Sequence, residues 1–252
     1  MHRYNKTLIF AHRGANREAA ENTRTAFDRA LSYPIDGMET DIQLSRDSIP
    51  VLWHDRFLAK LGHPTKHIDD YVYSQLQAMN FAGHFSPKAK PKGIVGLREY
   101  LDAYRSRTRL LLEIKNRDWE SPERQQDKVR QTLDMVGRVN DDRIIISSFN
   151  LDSLIYAQQC RPGFPLVYNF EDDQTLEDAK NALAGHSWLH GLCLPIAILG
   201  TEIISLLRDL GKSVAVYTCN SDEEINTALN LGVDILISDL PHKALHLRDQ
   251  KR

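Results

Sequence analysis

Gly37-Met38-Glu39-Thr40-Asp41-Ile42 and Val51-Leu52-Trp53 are two apolar, strand-like runs separated only by residues 43–50. A parallel crossover needs about a dozen or more residues, and Ser45-Arg46-Asp47-Ser48 has turn composition. The two runs are therefore predicted to form an antiparallel hairpin. A turn centred near Arg46 and Asp47 places Glu39 roughly opposite His54. The other strand candidates are Leu8–Ala11, Leu110–Ile114, Ile144–Ile146, Leu166–Tyr168, Leu192–Leu194, Val214–Tyr217 and Ile235–Ile237. Helical patterns fit between most of them. Repeated strand-then-helix units argue for an α/β fold with a parallel sheet. Once the hairpin arm is set aside, the strand number and the 252-residue length favour a closed (β/α)8 TIM-type barrel over an open sheet.

Local signals agree with this frame. Asn150 is a good cap for a helix beginning Leu151-Asp152-Ser153, and Ser221 for one beginning Asp222-Glu223-Glu224 that stops before Leu231-Gly232. Residues 56–96 break the alternation. They carry scattered Gly, Pro and His, a short helical pattern at Ser74–Met79 and no clear strand, and read as an insertion over one end of a single barrel domain spanning 1–252.

Bulk composition narrows the functional classes. With 42% hydrophobic and 26% charged residues, the chain reads as a soluble globular protein. Lys plus Arg number 32 against 34 Asp plus Glu, which gives no general field for nucleic acid or an anionic membrane. Any phosphate site must be local. Cys160, Cys193 and Cys219 are odd in number and widely spaced, suggesting neither a disulfide framework nor a zinc site. The start, Met1–Thr7, lacks the apolar run and cleavage site of a secretory signal, and no stretch approaches a membrane span. A cytoplasmic protein without stable membrane insertion is the expectation.

Chemistry-bearing residues gather at strand ends. Glu39 and Asp41 lie two apart on a strand and share a face; unless solvated and salt-bridged, they repel without a cation or proton between them. Glu113 offers a third oxygen. An all-carboxylate set suits Mg²⁺, Ca²⁺ or Mn²⁺ better than zinc. His12 and Arg13 end the first strand and His54 ends the hairpin arm, which makes a general acid and base pair plausible. Lys115 shares the face of Glu113 and is suited either to a phosphate oxygen or to balancing that carboxylate. Barrel sites lie at the C-terminal ends of the strands, and His12, Glu39, Asp41, His54, Glu113 and Lys115 all fall there. His63, His67, His84, His186 and His190 lack that context and read as surface residues.

These pieces resemble the glycerophosphodiester phosphodiesterase family: His12-Arg13-Gly14, Glu21-Asn22-Thr23, Glu39-Thr40-Asp41, Pro50–Asp55, Glu113-Ile114-Lys115 and the closing run Gly232–Pro241. The likeness runs in order along nearly the whole chain. It implies a TIM-type barrel with an insertion after the second histidine, one divalent cation on Glu39, Asp41 and Glu113, acid–base work by His12 and His54, and phosphate contacts from Arg13 and Lys115. Two positions depart from the family. Asp47-Ser48 stands where Asp-Gly is frequent in the hairpin turn. Tyr217 stands where tryptophan is frequent near the end of the eighth barrel strand, which bears on how glycerol or the leaving group packs.

The implied reaction is metal-dependent cleavage of glycerophosphodiesters to glycerol 3-phosphate and an alcohol, through a cyclic phosphate formed by the substrate's own 2-hydroxyl. One histidine acts as base and the other as acid, in an order the sequence leaves open, as it does the oligomeric state. One alternative is a lysophospholipase D-type activity on the same barrel, which needs an apolar rim; Phe81, Phe85 and Ile94 could supply one, though such residues are more often core. The other is a catalytically silent glycerophosphate-binding barrel, against which the intact acid–base set speaks.

Overall fold

A computed structural model of the chain describes residues 6–86, 88–137 and 143–251. The reading of Met1–Asn5 lies outside these residues. The strands are β1 (Leu8–His12), β2 (Gly37–Leu44), β3 (Pro50–Leu52), β4 (Arg109–Ile114), β5 (Ile144–Ser148), β6 (Leu166–Asn169), β7 (Gly191–Pro195), β8 (Ser213–Tyr217) and β9 (Ile235–Ser238). Their order is β1-β9-β8-β7-β6-β5-β4-β2-β3, and an added β1–β2 pairing closes the ring. Every pairing around that ring is parallel. The result is a closed eight-stranded (β/α)8 barrel, with β3 outside it as the hairpin arm.

β3 pairs antiparallel with the end of β2, as Ile42 with Leu52, Gln43 with Val51 and Leu44 with Pro50. The register differs by one residue from the predicted one. Ser45 N donates to Ile49 O at 3.0 Å, so three residues, Arg46–Ser48, form the loop and the turn centres on Asp47. Ser48 closes it at φ +60°, the left-handed conformation that favours glycine. Trp53 N then donates to Asp41 O at 3.1 Å, which sets the level of His54 against the carboxylates of β2. Because β3 is not a barrel strand, Val214–Tyr217 lies on the seventh barrel strand, not the eighth.

Helices α1 (Arg24–Ala30), α3 (Leu97–Tyr104), α4 (Pro122–Val136), α5 (Leu151–Cys160), α6 (Leu176–Gly185), α7 (Thr201–Asp209), α8 (Asp222–Leu231) and α9 (Pro241–Asp249) alternate with the barrel strands. Asn150 caps α5 by accepting from Ser153 N at 2.8 Å. Ser221 caps α8 by accepting from Glu224 N at 3.1 Å. α8 runs on through Leu231 and ends at Gly232, whose φ is +68°.

The alternating pleat sorts side chains into two cores. Ile9, Ala11, Met38, Leu110, Leu112 and Ile146 face the helices. Leu8, Phe10, Leu111, Ile145, Val167, Cys193, Ala215, Ile235 and Ile237 fill the barrel interior. Two residues further along, the inward parity delivers His12, Glu113, Ser147, Asn169, Tyr217 and Asp239, with Pro195 in that place on β7. β2 follows the same rule: Gly37 faces the Phe10 ring so closely that a Cβ would lie 2.4 Å from it, and Glu39 and Asp41 come next. One rule of strand geometry thus places a polar layer on top of an apolar one.

Residues 56–96 carry two 3₁₀ turns and a short helix, α2 (Tyr73–Ala78). Val51, Trp53, Leu58, Ile68, Leu76, Phe81 and Ile94 form a small separate core there. Phe81 and Ile94 are therefore packing residues, not a rim, because they seal this segment against the hairpin; Phe85 stays exposed. His190 is half-buried just before β7, at the end of the barrel away from the strand C-termini, with its imidazole pushed down to about 4, chiefly by burial.

Candidate active site

A cavity of about 130 Å³ opens at the C-terminal ends of the strands. Its walls include His12, Arg13, Glu39, His54, Glu113, Lys115, Asn169 and Tyr217, so nearly the whole set read from the sequence meets in one place.

The turn after β1 is built by close approach. Gly14 sits at φ +82°, and a Cβ there would fall 2.6 Å from the Ala26 backbone. Arg13 itself holds φ +55°, a strained value for an arginine. Its reward is position: Arg13 Nε lies 3.1 Å from Asp41 Oδ2 and Nη1 lies 3.1 Å from Glu21 Oε2. Asn22, also at positive φ, donates to Asp41 Oδ2 at 2.9 Å and accepts from Thr40 Oγ1 at 2.7 Å. Thr23 accepts from Ala26 N and caps α1. The Glu-Asn-Thr triplet thus divides into a partner for Arg13, an orienter for Asp41 and a helix cap.

Glu39, Asp41 and Glu113 are all buried, and each offers an oxygen within 4.8 Å of the others. Their charges are unequally compensated. Burial pushes the Asp41 carboxyl up, but Arg13 and Lys115 outweigh it and hold the group far below the ordinary carboxylate range. Glu39 goes the other way, raised well above its usual value by burial and then by Asp41. Lys115 Nζ lies 2.5 Å from Glu113 and 3.5 Å from Asp41; burial works against its charge, and those two carboxylates restore it. Glu39 Oε1 is buried without a hydrogen-bond partner. A cluster of hard oxygens, three of them buried without a hydrogen-bond partner (Glu39 Oε1, Asp41 Oδ1 and Glu113 Oε1), with one disfavoured negative charge, fits a divalent cation.

The two histidines are held alike. His12 Nδ1 and Asp239 Oδ1 are 2.6 Å apart, and His12 Nε2 faces Glu39 at 3.8 Å. His54 Nδ1 and Asp55 Oδ1 are 3.0 Å apart. An Nδ1–H donated to a carboxylate leaves Nε2 as the working nitrogen in each ring. Burial, then Arg13, lowers the His12 imidazole from its usual value, against the pull of Asp239. Asp239 also accepts from Asn16 at 2.6 Å, Arg17 at 2.8 Å and Asn220 at 3.0 Å. Burial raises that carboxyl, but the bonds from His12 and these neighbours keep it well below the ordinary range.

A second acidic group, Glu21, His54 and Asp55, also draws within 4.8 Å. The chain supplies its own cation there: Lys60 Nζ lies 2.8 Å from Glu21 Oε1 and 2.9 Å from Asp55 Oδ2. Arg117 holds the same loop from β4, donating to the His54 carbonyl, while Gln43 donates to Trp53 O at 2.7 Å and Asp55 O at 3.1 Å. Tyr217 packs edge-on against Phe149, with ring centroids 5.8 Å apart, and its hydroxyl is committed to the Phe170 carbonyl.

Residues 12–243 match the model of the glycerophosphoryl diester phosphodiesterase family. The chain belongs to that family. It is an enzyme of the phosphoric diester hydrolase class. Among relatives, it is 28% identical to a glycerophosphodiester phosphodiesterase of Bacillus altitudinis, covering 98% of this chain and 100% of that one. It is 26% identical to one from Caldanaerobacter subterraneus subsp. tengcongensis, over 96% and 98%. In fold it is similar to an Oleispira antarctica phosphodiesterase solved in complex with the product sn-glycerol-3-phosphate, with TM-score 0.84, 22% identity and 97% of each chain covered.

Sequence reasoning passed over Asp239, Glu21, Asn22 and Lys60. Asp239 and the Glu21-Asn22 pair stood in runs quoted for their resemblance, and strand parity marks Asp239 as inward. Lys60 had no signal, because only the folded path of residues 56–96 brings it to Glu21 and Asp55.

Proposed function

We propose that this protein cleaves glycerophosphodiesters to glycerol 3-phosphate and an alcohol, with His12 and His54 as the acid–base pair and a cyclic phosphate between the two steps. The observation that carries the reading is the pair of imidazoles, each anchored at Nδ1 by its own carboxylate, flanking a cluster of three buried carboxylates. A silent binding protein has no use for that pairing.

In the first step His12 Nε2 takes the proton of the substrate's 2-hydroxyl, and that oxygen attacks phosphorus. The bond from phosphorus to the leaving alcohol breaks, and His54 Nε2–H protonates the departing oxygen. His12 is the deeper ring and His54 the more open one, with side chains 16% and 33% exposed. Glycerol therefore lies inward and the variable alcohol leaves by the mouth. In the second step His54 takes a proton from water, the water oxygen opens the ring at phosphorus, and His12 returns its proton to the 2-oxygen. Arg13 and Lys115 contact the phosphoryl oxygens, where charge grows in the transition state. Glu39, Asp41 and Glu113 would hold Mg²⁺ or Ca²⁺, which supplies further neutralisation of that charge when bound.

The small cavity and the packed Phe81 and Ile94 favour short head groups over acyl chains. Among the described residues no helix is long and apolar enough to cross a membrane. We take the protein to be cytoplasmic, one barrel domain with residues 56–96 inserted, acting on a small molecule. The test offers glycerophosphocholine, glycerophosphoethanolamine, glycerophosphoglycerol and a lysophospholipid, with and without chelator, and follows glycerol 3-phosphate. Metal-dependent release from the first three is the expected result. Cleavage confined to the lysophospholipid, or no cleavage at all, would overturn the reading.

A further inference from the structure

Around the mouth of the barrel, inward-facing polar groups divide into two walls. β1, β2 and β4 carry His12, Glu39, Asp41 and Glu113, whose partners and proposed roles are given above. The opposite wall, from β5 to β8, offers Ser147, Asn169, Cys193 and Tyr217. Most of this wall is spoken for. Tyr217 Oη donates to the Phe170 carbonyl. Cys193 is a buried thiol pushed up well above its usual range, chiefly by burial, and so a weak neutral donor.

Asn169 is different. It ends β6, is only 4% exposed and lines the cavity. Its Nδ2 donates to Ser147 Oγ at 3.4 Å, while its Oδ1 is buried with no hydrogen-bond partner. A buried amide oxygen left unpaired is destabilising, because it has lost its water partners and gained none. Asn169 lines the active-site cavity, and a turn of its side-chain amide, held at Nδ2 by the long 3.4 Å bond to Ser147 Oγ, brings this buried oxygen to a ligand; the ligand group it then accepts from is a hydroxyl or N–H donor.

The glycerol moiety supplies one. If the 2-hydroxyl attacks phosphorus, it and the esterified oxygen must both face the wall of His12, Arg13 and Lys115. The remaining terminal hydroxyl then points across the cavity. We propose that Asn169 Oδ1 accepts a hydrogen bond from the terminal hydroxyl of glycerol, making Asn169 the residue that distinguishes a glycerol phosphodiester from a 1,2-diol phosphodiester lacking that hydroxyl. This rests on the glycerophosphodiesterase reading. The selectivity is one-sided: an analogue without the hydroxyl still has the nucleophile but leaves the amide oxygen unpaired, which a site that pairs a substrate hydroxyl disfavours.

The experiment compares sn-glycero-3-phosphoethanolamine with its 1-deoxy analogue, which keeps the 2-hydroxyl. Initial rates are measured for the metal-supplemented wild type, Asn169→Leu and Asn169→Asp. Wild type is expected to prefer the glycerol compound about tenfold in kcat/KM, the worth of one hydrogen bond of about 1 kcal/mol or slightly more. N169L should lose that preference by slowing on the glycerol compound alone. N169D, which keeps an acceptor oxygen, should retain it. If N169L folds poorly by circular dichroism, Asn169→Ala, which only removes atoms from the wall, reads the same ratio. Equal wild-type rates on the two substrates would overturn the inference, and so would an N169L loss of equal size on both. No cleavage of either substrate by the wild type would instead overturn the glycerophosphodiesterase reading beneath it.

Discussion

Replacing Asp239 with asparagine changes one atom and tests how His12 is held. The carboxylate accepts from four side chains: His12 and Asn16 at Oδ1, Arg17 and Asn220 at Oδ2. An amide has one acceptor oxygen, so two of the four donors must face an NH₂ group. If the amide oxygen stays toward His12, the NH₂ meets the Arg17 guanidinium and the Asn220 amide. If it turns, the NH₂ meets His12 Nδ1 and forces that nitrogen to accept, which moves the ring proton to Nε2, where the base must be empty. Arg17 carries a full charge and anchors the oxygen on its own side, so the second arrangement should dominate. General base catalysis is worth about 10²–10⁴-fold, and a catalytic histidine trapped in the wrong tautomer loses at the upper end of that range. The expected result for D239N is a kcat at least about a hundredfold below wild type, or about 3 kcal/mol of barrier, with KM little changed because no substrate contact is lost. Loss of two charge-assisted bonds should also lower stability by about 2–3 kcal/mol. The assay is steady-state release of glycerol 3-phosphate, with folding checked by circular dichroism. A folded D239N with kcat within threefold of wild type would refute the reasoning, because His12 would then not depend on the tautomer that Asp239 fixes.

Three further outcomes follow from the site and its frame. Glu39→Gln removes a disfavoured negative charge, so the metal-free variant should be at least as stable as metal-free wild type, while the stabilisation on adding Mg²⁺ or Ca²⁺, about 2.7 kcal/mol at a hundredfold excess over Kd and visible as a rise in Tm, should vanish; differential scanning calorimetry measures both. Lys60→Met removes the cation that bridges Glu21 and Asp55, leaving Glu21 to Arg13 and Asp55 to His54, and should cost about fivefold in kcat, consistent with roughly 1 kcal/mol for a partly exposed bridging charge, whereas Lys60→Arg should retain most activity; equal loss in both variants would show that the charge is not what matters. Ser48→Gly should raise stability by about 1 kcal/mol, since φ +60° is strained for serine and free for glycine, and chemical denaturation with an unchanged m-value would confirm it.

What could be read without coordinates follows from what is local. The hairpin, all nine strand runs and two helix caps rest on composition and spacing within about a dozen residues, and each appears in the fold. The one-residue error in the hairpin register came from treating the turn as centred between Arg46 and Asp47. Only the Ser45–Ile49 hydrogen bond and the left-handed Ser48 reveal a three-residue loop. Phe81 and Ile94 were left between an apolar rim and the commoner role of core residues, for a related reason. Exposure is decided by what packs opposite, and their partners, Trp53 at the end of the hairpin arm and Leu58 in the inserted segment, come together along a path no periodicity announced.

The gathering of the candidate site follows from a simpler fact. In a closed parallel barrel every strand ends at the same rim, and side chains two apart on a strand share a face. A run such as Leu111-Leu112-Glu113 therefore says that Leu111 and Glu113 both point inward, with the carboxylate one layer nearer the mouth. The same parity carries Phe10 to His12, Val167 to Asn169 and Ile237 to Asp239. His12 and Asp239 are far apart in the chain but are carried on neighbouring strands, β1 and β9, which lie side by side because the ring closes there. The closing pair of strands thus sets the His12–Asp239 contact. A chain cut within β9 should lose the orientation of His12 as well as the barrel's closure, even with every residue of the His-Arg-Gly and Glu-Thr-Asp motifs in place. His54 obeys a different logic, since β3 is no part of the ring. Its position depends on the hairpin, on Gln43 and Arg117 at its backbone, and on Lys60 from the inserted segment. The deep imidazole is fixed by the barrel, and the outer one by the excursion that interrupts it.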